Sequence, residues 1–95
     1  MARSIISNVK RCYLCGSENA LEKHHCVFGT ANRKKAEEDG LWVYLCHRDH
    51  QAVHNQDIWE KKALQEIAQE HWQDKYGTKD QFIKRYGKSY LERGN

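Results

Sequence analysis

Cys12 and Cys15, separated by two residues and followed by Gly16, with a third cysteine far along the chain at Cys46, restrict the possible folds more than any other feature. A Cys-x-x-Cys-Gly run matches the tight turn in which backbone amides wrap a metal-bound sulfur. Cys46 is where a second half-site would begin, and its partner three residues on is Asp49. Three thiolates and a carboxylate carry the same total charge as four thiolates, and a carboxylate oxygen is an accepted zinc ligand. His47 and Cys26 compete for the fourth place, Cys26 otherwise reading as core. A zinc ion held this way joins two distant stretches of a chain of 95 residues, too short for its core alone to be more than marginal.

The histidines form a second set. His24 and His25 are adjacent, and His50 and His54 are four apart, so a helix carries the latter on one face. Those two could hold one divalent ion, with His24 or His25 as a third ligand from a neighbouring strand and open positions left for water and a substrate oxygen. The neighbour that does not bind the ion is then free to take a proton from water. This division of labour suits phosphodiester hydrolysis. Each pair alone also fits a solvated or stacked role; the combination with the cysteine turn is what favours a site. Adjacent histidines in a regular strand point to opposite faces, so a strand end, twist or bulge is expected at 24–25.

The remaining pattern sets these motifs on an α+β frame. Residues 21–28 (LEKHHCVF) read as a strand, though the pattern alone also permits a helix, and residues 41–46 (LWVYLC) read as a clearer strand after the Asp39-Gly40 turn signal. The polar stretch 29–40 between them reads as a loop with at most one helical turn. A helix follows Cys46, with Asp49 as its cap or first-turn acid. Trp59, Ala63, Leu64, Ile67, Ala68, His71, Trp72 and Tyr76 repeat at helical spacing and predict a helix over 57–76, with Trp59 and Trp72 as core. Thr78 and Gln81 form a capping-box pair, predicting a short helix to Tyr86 that buries Phe82, Ile83 and Tyr86 before Gly87. Residues 88–95 read as a loosely held tail, and His47 and His71 as bystanders.

With no proline, repeat or low-complexity tract, nothing marks a linker, and the chain 1–95 reads as one domain: knuckle and core over 11–55, helical extension over 56–95. No apolar run approaches a bilayer span, and the N-terminus lacks the features of a secretory signal, so the expected location is the cytoplasm. The net charge of +3 and pI of about 8.7 permit association with a polyanion. Arg33, Lys34 and Lys35 could grip phosphates, although a charge run beside Glu37, Glu38 and Asp39 also reads as a solvated face.

Taken together, CYLCG, EKHHC and LWVYLCHRDHQAVH resemble the HNH endonucleases of the ββα-metal group, above all the small phage-type members with a zinc knuckle. The resemblance covers about residues 11–55. The chain is also similar, more weakly, to phage recombination-enhancing nucleases. The resemblance implies a treble-clef-like hairpin and helix around one divalent ion (Mg2+, Mn2+, Ni2+ or Zn2+) at a DNA minor groove. It makes His24, His50 and His54 the ligands of that ion and His25 the general base, with Cys12, Cys15 and Cys46 on a structural zinc. The chain departs from the family pattern where Asp49 stands in place of a cysteine, and where Gly40 and Leu41 replace an asparagine that orients the base in relatives. Asn32 is the candidate substitute.

The resulting expectation is a metal-dependent DNA endonuclease or nickase of phage or prophage origin, acting in the host cytoplasm. Its expected partners are DNA and a recombination or packaging protein. The competing readings are a non-catalytic zinc module that binds nucleic acid, and a small protein that binds a partner through its C-terminal half, where Tyr90 and Leu91 would be exposed.

Overall fold

The computed structural model describes residues 3–55 and 58–91. Its centre is a hairpin of β1 (Leu21–His25) and β2 (Trp42–Cys46), antiparallel, in a register that runs from Leu21 opposite Cys46 to His25 opposite Trp42. Around it lie α1 (Thr30–Asp39), α2 (His47–Asn55), α3 (Trp59–Lys75) and α4 (Lys79–Tyr86). Among the described residues this is a small α+β protein of two antiparallel strands and four helices.

The strand β2 is apolar because it is covered along nearly all its length: Trp42, Val43, Leu45 and Cys46 are buried and only Tyr44 is half-buried. The strand β1 is mixed, and its contacts alternate as a pleat requires. Glu22 and His24 meet α2, whereas Lys23 and His25 meet α1. Leu64, Ala68 and Trp72 of α3 and Phe82 of α4 complete the core with Leu41, Val43, Leu45 and Val53. Each large side chain so buried contributes about 1.5–3 kcal/mol. The capping box of α4 forms as its sequence indicates, with Gln81 N donating to Thr78 Oγ1 at 3.2 Å and Thr78 N to Gln81 Oε1 at 2.8 Å.

Several expectations are corrected. Residues 30–39 form a ten-residue helix, not a loop. Its sequence, TANRKKAEED, is made of good helix formers but buries only Ala36, so it carries no apolar stripe from which the helix could be read. It ends at Gly40, whose φ of 78° is left-handed and whose missing Cβ leaves room for the backbone oxygen of Arg3; any other residue there would collide with the N-terminal segment. The first strand stops at His25, three residues short of the expected 28. Helix α3 is described from Trp59, the expected start at Asp57 lying outside the described residues.

Trp59 is not core: it is 75% exposed, because the buried face of α3 is carried by Leu64, Ala68 and Trp72, a turn and more further on. Tyr90 and Leu91 are not exposed but half-buried, Tyr90 standing against Phe82 with ring centroids 6.2 Å apart. Of the expected loose tail, residues 92–95 lie outside the described residues.

Candidate metal centres

At the Leu21–Cys46 end of the hairpin, Cys12, Cys15, Cys46 and Asp49 each offer a ligand atom, all within 4.8 Å of one another. Cys12 Sγ is 3.1 Å from Asp49 Oδ2, and Cys15 Sγ is 3.7 Å from Cys46 Sγ. The turn is closed by Cys12 N to Ser17 O and Gly16 N to Cys12 O, with Gly16 at a φ of 80° that favours glycine. It is pinned to the hairpin by Tyr13 N to Tyr44 O at 2.8 Å. Burial pushes the Cys12 thiol up, but the amides of Cys46, Cys15 and Leu14 outweigh it and hold the thiol below its ordinary range. For Cys15 the Ser17 amide pulls down, yet Asp49 and the other two sulfurs together push it up to about 11. Three thiols and a carboxylate this close together are a donor set that a divalent cation fits, since binding favours their deprotonated forms.

The competing fourth ligands are elsewhere. His47 Nδ1 lies 2.9 Å from Glu22 Oε2, and Cys26 is fully buried in the core, where desolvation pushes its thiol up to about 12.

Toward the other end of the hairpin, His24 from β1 and His50 and His54 from α2 bring one ring nitrogen each within 4.8 Å of one another. The ring centroids are 5.3 Å (His24–His50), 5.4 Å (His24–His54) and 4.7 Å (His50–His54) apart, and Nε2 of His50 is 3.1 Å from Nε2 of His54. His50 is held by Glu22, whose Oε1 is 2.7 Å from His50 Nδ1, so that the other ring nitrogen is turned toward the cluster, the arrangement of an oriented metal ligand. His24 is 1% exposed, and its buried Nδ1 has no hydrogen-bond partner among the described residues. Burial, then the charges of His50, His54 and His25, depress its pKa to about 3. Burial, His50, and the Arg33 and Lys61 cations likewise hold His54 below its ordinary value. Neutral imidazoles with free ring nitrogens are the form that ligates.

Beside this cluster is a cleft of about 650 Å³ lined by His25, Phe28, Arg33, His50, His54 and Lys61, among others. His25 reaches it because it is the last residue of β1, which reconciles its pleat-opposite direction from His24 with a shared cleft. Its Nε2 is 2.7 Å from Glu37 Oε1, and Lys23 Nζ is 3.1 Å from Glu37 Oε2. His25, then Lys23, hold the Glu37 carboxyl below its ordinary range despite partial burial.

Asn32 does not meet His25. Its amide nitrogen donates to Phe28 O at 3.1 Å and Tyr86 O at 3.0 Å, tying α1 to the chain before it and to the end of α4. Of the three expected phosphate-gripping residues, Arg33 lines the cleft; Lys35 donates to Arg85 O at 2.7 Å and serves as a link to α4; Lys34 is exposed and outside the cleft lining. Reading the sequence missed Glu37, Glu22 and Lys61. Strand alternation gives the signal for Glu22, which shares a face with His24; Glu37 and Lys61 depend on where α1 and α3 come to lie.

The fold and these two clusters define a small α+β protein with a Cys/Asp group and a His group that could each bind a metal ion. No protein-family model matches the chain, and no curated protein or solved structure is significantly similar to it.

Proposed function

We propose that the chain is a metal-dependent DNA endonuclease or nickase of the HNH, ββα-metal kind, with a structural zinc at Cys12, Cys15, Cys46 and Asp49 and a divalent ion at His24, His50 and His54. The observation that carries this reading is the convergence of three imidazoles from β1 and α2 beside a cleft that a fourth, His25, also lines. Two ligands of a tetrahedral zinc lie roughly 3.3 Å apart for nitrogen pairs and roughly 3.8 Å for sulfur pairs, given the usual bond lengths. The 3.1 Å between His50 and His54 and the 3.7 Å between Cys15 and Cys46 agree with those spacings.

A divalent ion bound by the histidines supplies Lewis acidity at a phosphoryl oxygen and charge stabilisation at the leaving oxygen. The chain's own work is proton transfer and orientation. With Nε2 of His25 committed to Glu37, Nδ1 is the nitrogen that takes the proton from water, and the Glu37 carboxylate steadies the imidazolium that results. Glu37 thereby takes the orienting role expected of Asn32. Glu22 fixes His50, and Arg33 supplies a cation for the phosphate backbone.

One observation fits the non-catalytic zinc module instead: Lys23, His25 and Glu37 also make a brace between β1 and α1 that needs no chemistry. Supercoiled plasmid incubated with wild type and His25→Ala in magnesium, manganese or nickel separates the two. Nicked or linear product from wild type, lost in the variant, is expected; equal activity in both removes the mechanism, and binding without cleavage under every metal selects the module.

A further inference from the structure

Two cations face the histidine cleft from different helices, and the described residues give neither an acidic partner. Arg33 stands in the first turn of α1, its backbone N bonded to Gly29 O, and its side chain is exposed at the cleft. Lys61 stands near the start of α3, with Nζ 5.1 Å from the centre of the Phe28 ring. That ring is in turn 5.4 Å, centroid to centroid, from His54. Stacking on an aromatic face holds an ammonium in place without neutralising it.

The acidic groups nearby are committed elsewhere. Glu37 is taken by His25 and Lys23, and Glu22 by His47 and His50. Three arginines elsewhere are matched: Arg85 with Glu38 and Asp39, Arg48 with Asp49, Arg11 with Glu18. What sets Arg33 and Lys61 apart is their place: among the described residues both line the cleft with no acidic partner, which makes the cleft a place to receive an anion.

We infer that Arg33 and Lys61 form a two-cation clamp for the phosphodiester backbone of the nucleic acid, with the Phe28 ring against the sugar or base, so that α3 of the helical extension is part of the substrate site. This rests on the nuclease reading above and extends it: the residues beyond the cysteine and histidine motifs supply half the grip. Arg33 is exposed, Lys61 is half-buried and neither belongs to the core cluster, so both variants are expected to fold. Each neutralised phosphate contributes about 0.7–0.9 to the slope of log binding constant against log salt.

The test is a salt titration of binding to a short fluorescently labelled DNA duplex by wild type, Arg33→Ala, Lys61→Ala and the double variant, with Lys62→Ala and Lys34→Ala as controls, folding being checked by circular dichroism. The expected result is a slope reduced by about 0.7–0.9 in each single variant and by about twice that in the double, with wild-type slopes in both controls. A wild-type slope in Lys61→Ala, from protein that still cleaves plasmid, overturns the clamp alone. Wild type that neither binds the duplex nor cleaves plasmid overturns the clamp together with the reading beneath it.

Discussion

His25 Nε2 lies 2.7 Å from Glu37 Oε1, which joins the last residue of β1 to a carboxylate late in α1. Lys23, two residues back on the same side of the strand, reaches the other oxygen of that carboxylate and also lies over the Trp42 ring. The imidazole is thus held by α1, whereas His24 meets His50 and His54 of α2.

Glu37→Gln retains the shape and removes the charge that steadies a protonated His25. If His25 is the base, kcat for plasmid nicking falls roughly 10–100-fold, less than the roughly 100–10,000-fold of the base itself because Glu37 acts only through it, while KM changes little. Single-turnover kinetics decides the matter: an undiminished rate would show that Glu37 is a brace and nothing more.

His24 gives a signature in acid. Its folded pKa is depressed to about 3 from an ordinary 6.5, so in ion-free protein the unfolded state takes up the proton first. The stability that accompanies a neutral His24 is therefore complete above about pH 6.5 and is lost as pH falls toward 3. His24→Leu, close in volume, flattens this loss. It is also expected to abolish the rise in melting temperature that manganese or nickel would give wild type by binding selectively to the folded chain. Thermal melts at two pH values, with and without the ion, report both effects.

Asp49 is the unusual member of the sulfur cluster. Asp49→Ala removes one of the four candidate ligand groups and is expected to weaken zinc retention by at least the roughly tenfold that losing even an outer-shell partner costs, whereas Asp49→Cys is expected to restore it. Competition against a chromogenic chelator measures the difference. Equal retention by all three proteins would mean that the carboxylate is a bystander.

Asp39 ties the C-terminal helices to α1. Its Oδ2 accepts from Trp72 Nε1 at 2.8 Å, Arg85 Nε at 2.6 Å and Tyr86 Oη at 2.7 Å, and its Oδ1 from Arg85 Nη2 at 2.9 Å. Asp39→Asn leaves Arg85 without its main counter-charge. The expected cost is about 2–3 kcal/mol, below the 3–5 of a fully buried pair because the Arg85 side chain is 33% exposed. Urea denaturation measures it; a loss under about 0.5 kcal/mol, the usual effect of a surface change, would contradict the role of Asp39.

What could be read in the sequence was whatever depends on short spacing. Cys12 and Cys15 in one turn, His50 and His54 on one helical face, and the capping box at Thr78 and Gln81 follow from two or three residues each. The meeting of Cys46 and Asp49 with the turn was readable from the half-site spacing, whereas the residues alone left His24 and His25 as alternatives for the partner of α2 and the family resemblance pointed to His24. Helix α1 was not: it packs through Ala36 alone and has no periodic apolar face. With α1 read as a loop, neither Glu37 as the partner of His25 nor the turning away of Asn32 and Lys35 could be foreseen. Trp59, read as core from its helical spacing, and Tyr90, read as exposed in a loose tail, exchanged roles because only tertiary packing decides which of them is covered.

The ladder that sets Leu21 against Cys46 and His24 against Val43 is five residues long and serves both ligand groups at once. Because side chains alternate along a strand, dropping or adding one residue in either arm turns every later side chain to the other face. One such event would part the donor groups of both candidate sites, so the two short arms act as a ruler whose length is fixed by the spacing of the sulfurs and the imidazoles.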